Sequence, residues 1–256
     1  MNYHRISHID DPLFKKMHEL MQEVFPPEEV LEYSLWKEPL EDPGIRVFVA
    51  EVNGEVVGAT EYRYYEDFNV AMTDFTIIGR PGQGIGRFLA QQRQKDLNAL
   101  AIANGKVLYG MFAEIYDPYQ VDHYEFGGVK PMDPYVRREV LSHLGYKRLD
   151  FRYVHPSWNN DGEAVSGLDL CFMPSDEEQA ELEAGLIVAF LKRYYTVLPN
   201  KPEAWNEMLR QLEQQDKVAL LPLYAFRNAQ FLRLPACYGL RVDPDPQDLS
   251  TLSFML

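Results

Sequence analysis

The spacing of apolar residues predicts a strand, helices and a three-strand meander at the start of the chain. YHRISHID is strand-like, and DPLFKKMHELMQEVFP has helical spacing behind Asp11 and Pro12, which are typical of a helix start. A second, broken helix is predicted over PEEVLEYSLWKEP. The segment RVFVAEVNGEVVGATEYRYY places Asn53-Gly54, the strongest short hairpin signal, between two strand patterns, and NVAMTDFTIIG continues as a third strand.

The middle of the chain continues with alternating helices and strands. A helix runs to about Asn104, where Gly105 stops it, and KVLYGMFAEI is the next predicted strand. DPYVRREVLSHLGY predicts a helix that is capped by Asp133 and ends at Gly145. Two further strands are predicted over KRLDFRYVHP and VSGLDLCFMP. The stretch 116–132, between the strand KVLYGMFAEI and the helix DPYVRREVLSHLGY, has neither a helical nor a strand period, and such a long loop in a compact domain is usually functional or mobile.

The pattern changes after Pro174. Ser175 and Glu178 have the capping-box spacing in front of an apolar helix, EEQAELEAGLIVAFLKRYY, and KPEAWNEMLRQLEQQ predicts a further helix before the strand-like KVALLPLYAF. We therefore predict two regions, residues 1–174 and a C-terminal α/β extension over residues 175–256. Because a free apolar helix face is unfavourable, the extension is expected to pack on the core, to form a homodimer contact or to close over a substrate cleft.

Charge and cysteine content narrow the classes of partner. The formal net charge of -14 over 256 residues argues against a nucleic-acid partner and fits a cationic one. Cys171 and Cys237 share no motif spacing and are expected to be reduced, which predicts a cytoplasmic protein. No apolar run has the length of a signal peptide or a membrane span, and the six histidines have no metal-ligand spacing, so neither membrane nor metal is predicted.

One short segment carries most of the chemical information. GRPGQGIGRF, from Gly79 to Phe88, joins a strand to a helix with four glycines, which brings backbone amides to a helix start that suits a phosphate. A nucleoside triphosphate loop is excluded because no Gly-Lys-Ser/Thr follows, and the glycine spacing does not fit the dinucleotide motif. A tight corner is the alternative interpretation, although two glycines would be enough for it.

The segment PGQGIGRFLAQQ resembles the coenzyme A loop of the GNAT acyltransferase superfamily. That pattern is Gln or Arg, two residues, Gly, one residue, and Gly or Ala; Gly84, Ile85 and Gly86 match its second half, whereas Pro81 occupies the first position and Arg80 stands one residue early. The order of predicted elements over residues 1–174 agrees, and HLGYKRLDF is similar to the family's Leu-Gly-Phe segment. The resemblance implies an α+β fold with a mixed, mostly antiparallel central sheet flanked by helices.

The same resemblance implies an acyl-CoA-dependent N-acyltransferase that moves an acetyl group from acetyl-CoA to an amine of a small molecule or peptide. The strand before the loop would pair with the pantetheine arm in a splay between strands, and the loop amides would hold the pyrophosphate with help from an arginine. The implied cofactor-binding residues are Thr76, Ile77, Ile78, Arg80, Gln83, Gly84, Ile85, Gly86 and Arg87.

Two carboxylates are candidates for the base that such a reaction needs. Asp74 lies four residues before Ile78 and is expected on the same strand face, although an ordinary solvated position is the alternative. Glu114 is flanked by apolar residues that are expected to raise its pKa. The acceptor is assigned to the loop after this strand, where aromatic and acidic residues suit a cationic amine: Tyr116, Asp117, Tyr119 and Tyr124.

The group that protonates the leaving thiolate is left open. Leu141 stands where the family often has a tyrosine; Tyr116, Tyr124, Tyr135 and Tyr146 have no positional support, and water is an alternative acid. Leu141 and Pro81 also favour a non-catalytic acyl-CoA-binding or regulatory module. A third alternative keeps catalysis with a hydroxyl acceptor or a longer acyl chain.

Overall fold

The computed structural model describes residues 1–25, 30–80, 82–119 and 134–223. Its first elements are β1 (Asn2–Ile6), α1 (Pro12–Val24), a short 3-10 turn (Tyr33–Trp36) and α2 (Lys37–Glu41). The predicted start of α1 is confirmed, because the Asp11 side chain accepts a hydrogen bond from the backbone N–H of Leu13 at 2.9 Å.

The predicted meander follows. It consists of β2 (Ile45–Val52), β3 (Glu55–Tyr65) and β4 (Val70–Ile78). Asn53 and Gly54 join β2 to β3 with φ values of 53° and 83°, as a two-residue turn with two left-handed positions requires. Next come α3 (Ile85–Ala103) and β5 (Gly110–Tyr116).

The second half of the described chain is built from shorter elements. They are α4 (Pro134–His143), β6 (Lys147–Leu149), β7 (His155–Pro156), β8 (Ala164–Val165), β9 (Leu168–Pro174), β10 (Glu181–Glu183), α5 (Ala184–Tyr194), a 3-10 turn (Tyr195–Val197), α6 (Glu203–Leu212) and β11 (Lys217–Pro222). The strand predicted over KRLDFRYVHP therefore ends at Leu149, and the chain makes an excursion that contains the β7–β8 ribbon.

The predicted capping box at Ser175 and Glu178 is wrong. The backbone N–H of Ser175 donates to the Tyr109 carbonyl, and the Asp176 side chain closes a local turn by accepting from the Glu178 N–H. The next residues form β10, which pairs with β11, and α5 begins only at Ala184. Strand pairing with a distant segment thus overrides a local helix signal, because extended backbone there gains partners from the sheet.

The main sheet in the described residues has the order β1-β2-β3-β4-β5-β9-β6-β11-β10. The β4–β5 pair is parallel and the other pairs are antiparallel. One face packs on α3 and α4 through residues such as Ala71 and Met111. The opposite face carries two apolar clusters, one with α1 and one with α5 and α6, to which Met72 and Phe112 belong.

Candidate active site

The glycine-rich loop ends in an open helix start. Gly82 and Gly84 have φ values of 82° and 68°, a left-handed conformation that side chains rarely adopt, and Gly84 is the N-cap of α3. No side chain of the described residues caps this helix. The first-turn amides of α3 therefore remain available to an anion. The predicted side chains around this start, Arg80, Gln83 and Arg87, are exposed.

The sheet opens beside this loop. Pairing between β4 and β5 ends at Thr73 and Ala113, although β4 continues to Ile78 and β5 to Tyr116. Along their outer edges, β4 stays paired with β3 to its last residue and β5 stays paired with β9 over its whole length. Because each strand is held on its outer side only, the two strands diverge at the place where the resemblance implies a splay.

A buried arginine ties α3 to this opening. Arg93 is buried, and its Nη1 lies 3.1, 3.0 and 2.9 Å from the hydroxyl oxygens of Thr60, Thr73 and Thr76. The Thr76 side chain, which the resemblance places beside the cofactor, is therefore hydrogen-bonded to a residue of α3. Ile77 packs in the α1 cluster and Ile78 in the α3 cluster, so their side chains support the two faces of β4.

Asp74 lies in a β-bulge at the start of the opening. Tyr62 of β3 pairs with Thr73, and Glu61 pairs with Phe75, which leaves Asp74 as the extra residue. Its carboxylate is exposed and accepts a hydrogen bond from the Tyr194 hydroxyl of α5 at 2.7 Å. The prediction that Asp74 shares the face of Ile78 is therefore wrong, because the bulge interrupts the two-residue alternation.

A second carboxyl group adjoins Asp74. Glu61 is buried, and burial together with the neighbouring Asp74 raises its pKa well above the ordinary value. Asp74 keeps an exposed surface, but the protein packed around its carboxylate partly desolvates it and raises its pKa, while hydrogen bonds from Glu61 and Tyr194 act in the opposite direction. The two carboxyl groups are hydrogen-bonded to each other, and the raised pKa of Glu61 favours the proton on Glu61, while Asp74 is the member of the pair that faces solvent.

Glu114 is the centre of a polar network rather than part of an apolar wall. Its Oε1 accepts hydrogen bonds from the hydroxyls of Tyr153 and Tyr195, whose oxygens are 2.6 Å apart, and its Oε2 lies 3.3 Å from Nε2 of His155. Burial would raise the pKa of Glu114, but His155 and the two hydroxyls outweigh it and lower the pKa. The predicted rise in pKa is therefore wrong.

The imidazole of His155 responds to the same contact. Burial opposes its positive charge, but the Glu114 carboxylate outweighs burial and raises the pKa of His155. Glu114 and His155 thus form a buried carboxylate–imidazole pair, and two phenol hydroxyls complete the network around it. No sequence pattern predicted a role for Tyr153, His155, Tyr194 or Tyr195. The only signals were the two-residue spacing of Tyr153 and His155 and the adjacent tyrosines at the end of α5.

The predicted acceptor residues lie at the end of β5. Tyr116 has the guanidinium of Arg137 6.0 Å from its ring centroid, and Asp117 is buried with its side chain accepting from the Tyr119 N–H at 3.1 Å. Tyr119 is 69% exposed, and its ring contacts that of Tyr135. Tyr124 lies outside the described residues.

Two of the positions considered for the group that protonates the thiolate are buried in an apolar cluster. Leu141 is buried in the cluster between the sheet and α3, so the position of the family's tyrosine offers no hydroxyl. Tyr146 is in the same cluster, its hydroxyl has no hydrogen-bond partner among the described residues, and burial raises its pKa to about 12.

The described residues contain neither a metal-ligating cluster nor a membrane-spanning helix. No group of three or more His, Cys, Asp or Glu side chains in this part of the chain is arranged to hold a metal ion. The described helices are also too short or too polar to cross a membrane.

Comparison with known proteins identifies the fold. No protein-family model matches the chain, and no curated protein matches it by sequence. A structure from Bacteroides thetaiotaomicron described as a GNAT-family acetyltransferase has 14% identity and a TM-score of 0.50, covering 78% of this chain and 98% of its own. The chain therefore has the fold of the GNAT acetyltransferases, as the glycine loop and the order of elements predict.

Other solved structures match with lower scores. A coenzyme A complex of an aminoglycoside 6'-N-acetyltransferase has 17% identity and a TM-score of 0.46, covering 67% of this chain and 95% of its own. The ribosomal-protein-S18-alanine N-acetyltransferase from Escherichia coli has 10% identity and a TM-score of 0.44, covering 70% and 99%.

Proposed function

We propose that the protein is an acyl-CoA-dependent N-acyltransferase that transfers an acetyl group to an amine of a small molecule or peptide. One observation carries this proposal: β4 and β5 separate directly beside Asp74 and Glu114, and β4 leads from there into a glycine loop and an open helix start. The proposed slot for an extended chain and the proposed phosphate site thus follow each other along β4, and the slot begins between a carboxylate on β4 and one on β5.

The cofactor site is proposed on the loop and the strand before it. The amides of residues 83–87 bind the pyrophosphate, Arg80 and Arg87 add positive charge, and residues 76–78 border the pantetheine arm. The left-handed conformation of Gly84 and the absence of a capping side chain fit this assignment. Bound acyl-CoA supplies the thioester carbon that the amine attacks.

Asp74 is proposed as the proton acceptor. The amine nitrogen forms a bond to the thioester carbon, the carbon–sulfur bond breaks, and the amine proton passes to the Asp74 carboxylate. A raised pKa makes this carboxylate a better base, and its exposure lets an amine reach it. Glu114 is proposed as a positioning residue, because both of its oxygens already face donors of the protein.

The thiolate is proposed to take its proton from water. Leu141 has no hydroxyl at the position where the family often has a tyrosine. Protonation by water requires no other side chain. The amine is proposed to enter from the end of β5, where Tyr116, Asp117 and Tyr119 form the rim.

Calorimetric titration with acetyl-CoA and with free CoA tests the cofactor site. Gly84→Glu places a carboxylate at the open helix start and is expected to abolish binding. Gly105→Glu is the matched control, because Gly105 also has a φ of 68° and open space around it but lies at the other end of α3. Retained binding in Gly84→Glu, or equal loss in both variants, would refute the assigned site.

A non-catalytic acyl-CoA-binding module is the second candidate, favoured by the buried Leu141. Release of free CoA from acetyl-CoA in the presence of an amine separates the two. An enzyme is expected to release CoA at a rate that Asp74→Asn reduces by about 100-fold or more. Tight binding without amine-dependent release would identify the module.

A further inference from the structure

Three aromatic side chains form a half-open corner next to both carboxylates, and we name Trp158, Tyr194 and Tyr195 the aromatic corner. The Trp158 ring is perpendicular to that of Tyr194, with centroids 5.9 Å apart, and is tilted against that of Tyr195 at 5.6 Å. Trp158 is 51% exposed, so part of its ring remains open to a ligand. The corner is built from the excursion between β7 and β8 and from the end of α5.

Hydrogen bonds join this corner to the proposed reaction site. The Tyr194 hydroxyl donates to Asp74 at 2.7 Å, and the Tyr195 hydroxyl donates to Glu114. Burial raises the pKa of both phenols well above the usual value, so both rings are uncharged at neutral pH. A ligand at Trp158 is therefore within one tyrosine side chain of the carboxylate that faces solvent.

The carboxylate of Asp74 is the acidic group beside the corner that faces solvent. Glu114 is already paired with His155, the pKa of Glu61 is raised, and Arg63 is the cation whose charge acts on Asp74. Aromatic faces attract cations through the ring quadrupole, and a nearby carboxylate adds to this attraction. An exposed tryptophan between two carboxylate-bound tyrosines is suited to a cation better than to a neutral chain.

We propose that the acceptor carries a second, cationic group besides the amine that is acylated, and that this group binds against Trp158 in the aromatic corner. The inference rests on the proposed acyl transfer. The attacking amine must be uncharged, so the positive charge that binds in the corner has to come from another group of the acceptor. The simplest acceptor of this class is an alkyl diamine. The aromatic corner, in which Trp158 meets two tyrosines of the C-terminal extension, thereby determines acceptor specificity.

The cation site is tested without acyl-CoA by NMR titration with tetramethylammonium, and with tert-butanol as its neutral counterpart of similar shape. We expect tetramethylammonium to bind the wild-type protein more tightly than tert-butanol does. Trp158→Leu is expected to weaken binding about tenfold and Trp158→Phe by less. Tyr33→Leu removes another partly exposed ring, in the 3-10 turn before α2, and is the matched control, expected to leave binding unchanged.

The same variants are then compared in acyl transfer to an alkyl diamine and to a monoamine of equal length. The preference in kcat/KM for the diamine is expected to fall about tenfold in Trp158→Leu. Equal binding of tert-butanol, unchanged binding in Trp158→Leu, or no binding of tetramethylammonium would overturn the cation site. Cation binding at Trp158 in a protein that never releases CoA would instead refute the acyl transfer alone.

Discussion

At the scale of single residues, Glu114 shows why neighbours in sequence were a poor guide to its environment. Ala113 and Ile115 point to the α3 and α4 face, whereas Glu114 lies on the face of Phe112. Strand alternation thus separates a residue from its immediate neighbours. The groups that set its pKa come from Tyr153 and beyond, and no spacing within the strand predicts them.

Asp74 shows a different limit. Its place on the strand was predicted, but its face was not, because a bulge adds one residue to β4 opposite β3. The bulge turns the carboxylate toward α5, where Tyr194 donates to it. The alternation of apolar and polar residues along a strand does not show where one extra residue interrupts the pairing with the next strand.

The hydrogen bond from Tyr194 gives a prediction for the pH profile. Tyr194→Phe removes a donor that stabilises the ionised form of Asp74, so the pKa of Asp74 is expected to rise further. The acid limb of kcat/KM is then expected to move to higher pH by about one to two units. Activity is measured across the pH range with one amine, so the titration of the amine itself cancels.

Glu61→Gln is the control for this experiment. Its amide keeps a donor toward Asp74, so the acid limb is expected to stay near that of the wild type. If Tyr194→Phe leaves the acid limb at its wild-type pH, Asp74 is not the group whose titration produces that limb.

At the scale of elements, the local signals were reliable where the determining residues are adjacent in sequence. The start of α1, the hairpin at Asn53-Gly54 and the stop of α3 at Gly105 all depend on residues a few positions apart. The boundaries that were wrong, the start of α5 and the end of β6, depend on β11, which pairs with β6 and β10.

The contact between β3 and the start of α3 gives a second prediction. A Cβ at Gly58 would lie 2.6 Å from Cγ2 of Ile85, the first residue of α3, and 2.8 Å from the Ile77 carbonyl oxygen. Gly58→Ala is therefore expected to lower the free energy of unfolding by about 1–3 kcal/mol, because backbone must move. It is also expected to weaken CoA binding, since the helix start is displaced.

Chemical denaturation and calorimetry measure the two effects. Gly185→Ala in α5 is the control, because nothing lies within 4 Å of the added Cβ, and a small gain in stability is expected there. If Gly58→Ala has the stability and CoA affinity of the wild type, the close approach of β3 to α3 does not set the position of the loop.

At the scale of the whole molecule, the residues after Pro174 share a core with the central strands. Phe190 of α5 stacks on Phe112 of β5 with ring centroids 4.1 Å apart, and both are fully buried. β11 also pairs with β6 within the main sheet. We therefore propose that residues 175–223 unfold together with the rest of the described chain.

Two buried tryptophans make this proposal measurable. Trp36 lies in the α1 cluster and Trp205 in the cluster with α5 and α6, so variants that keep only one of the two tryptophans report separately on the two clusters. Their unfolding transitions are expected to coincide. Phe190→Ala is expected to lower stability by about 3–5 kcal/mol in both reporters, and a loss seen by Trp205 alone would indicate a separate domain.

The sequence by itself determined the helices and strands from β1 to β5, their order and the place of the proposed phosphate site, because helix caps, hairpin turns and a glycine loop act over a few residues. Only the tertiary structure decided which groups surround the two carboxylates. Tyr194 lies 120 residues from Asp74 along the chain, and Tyr195 lies 81 residues from Glu114. Such contacts, and the pKa values that they set, arise from the packing of α5 on the sheet, which no local pattern encodes.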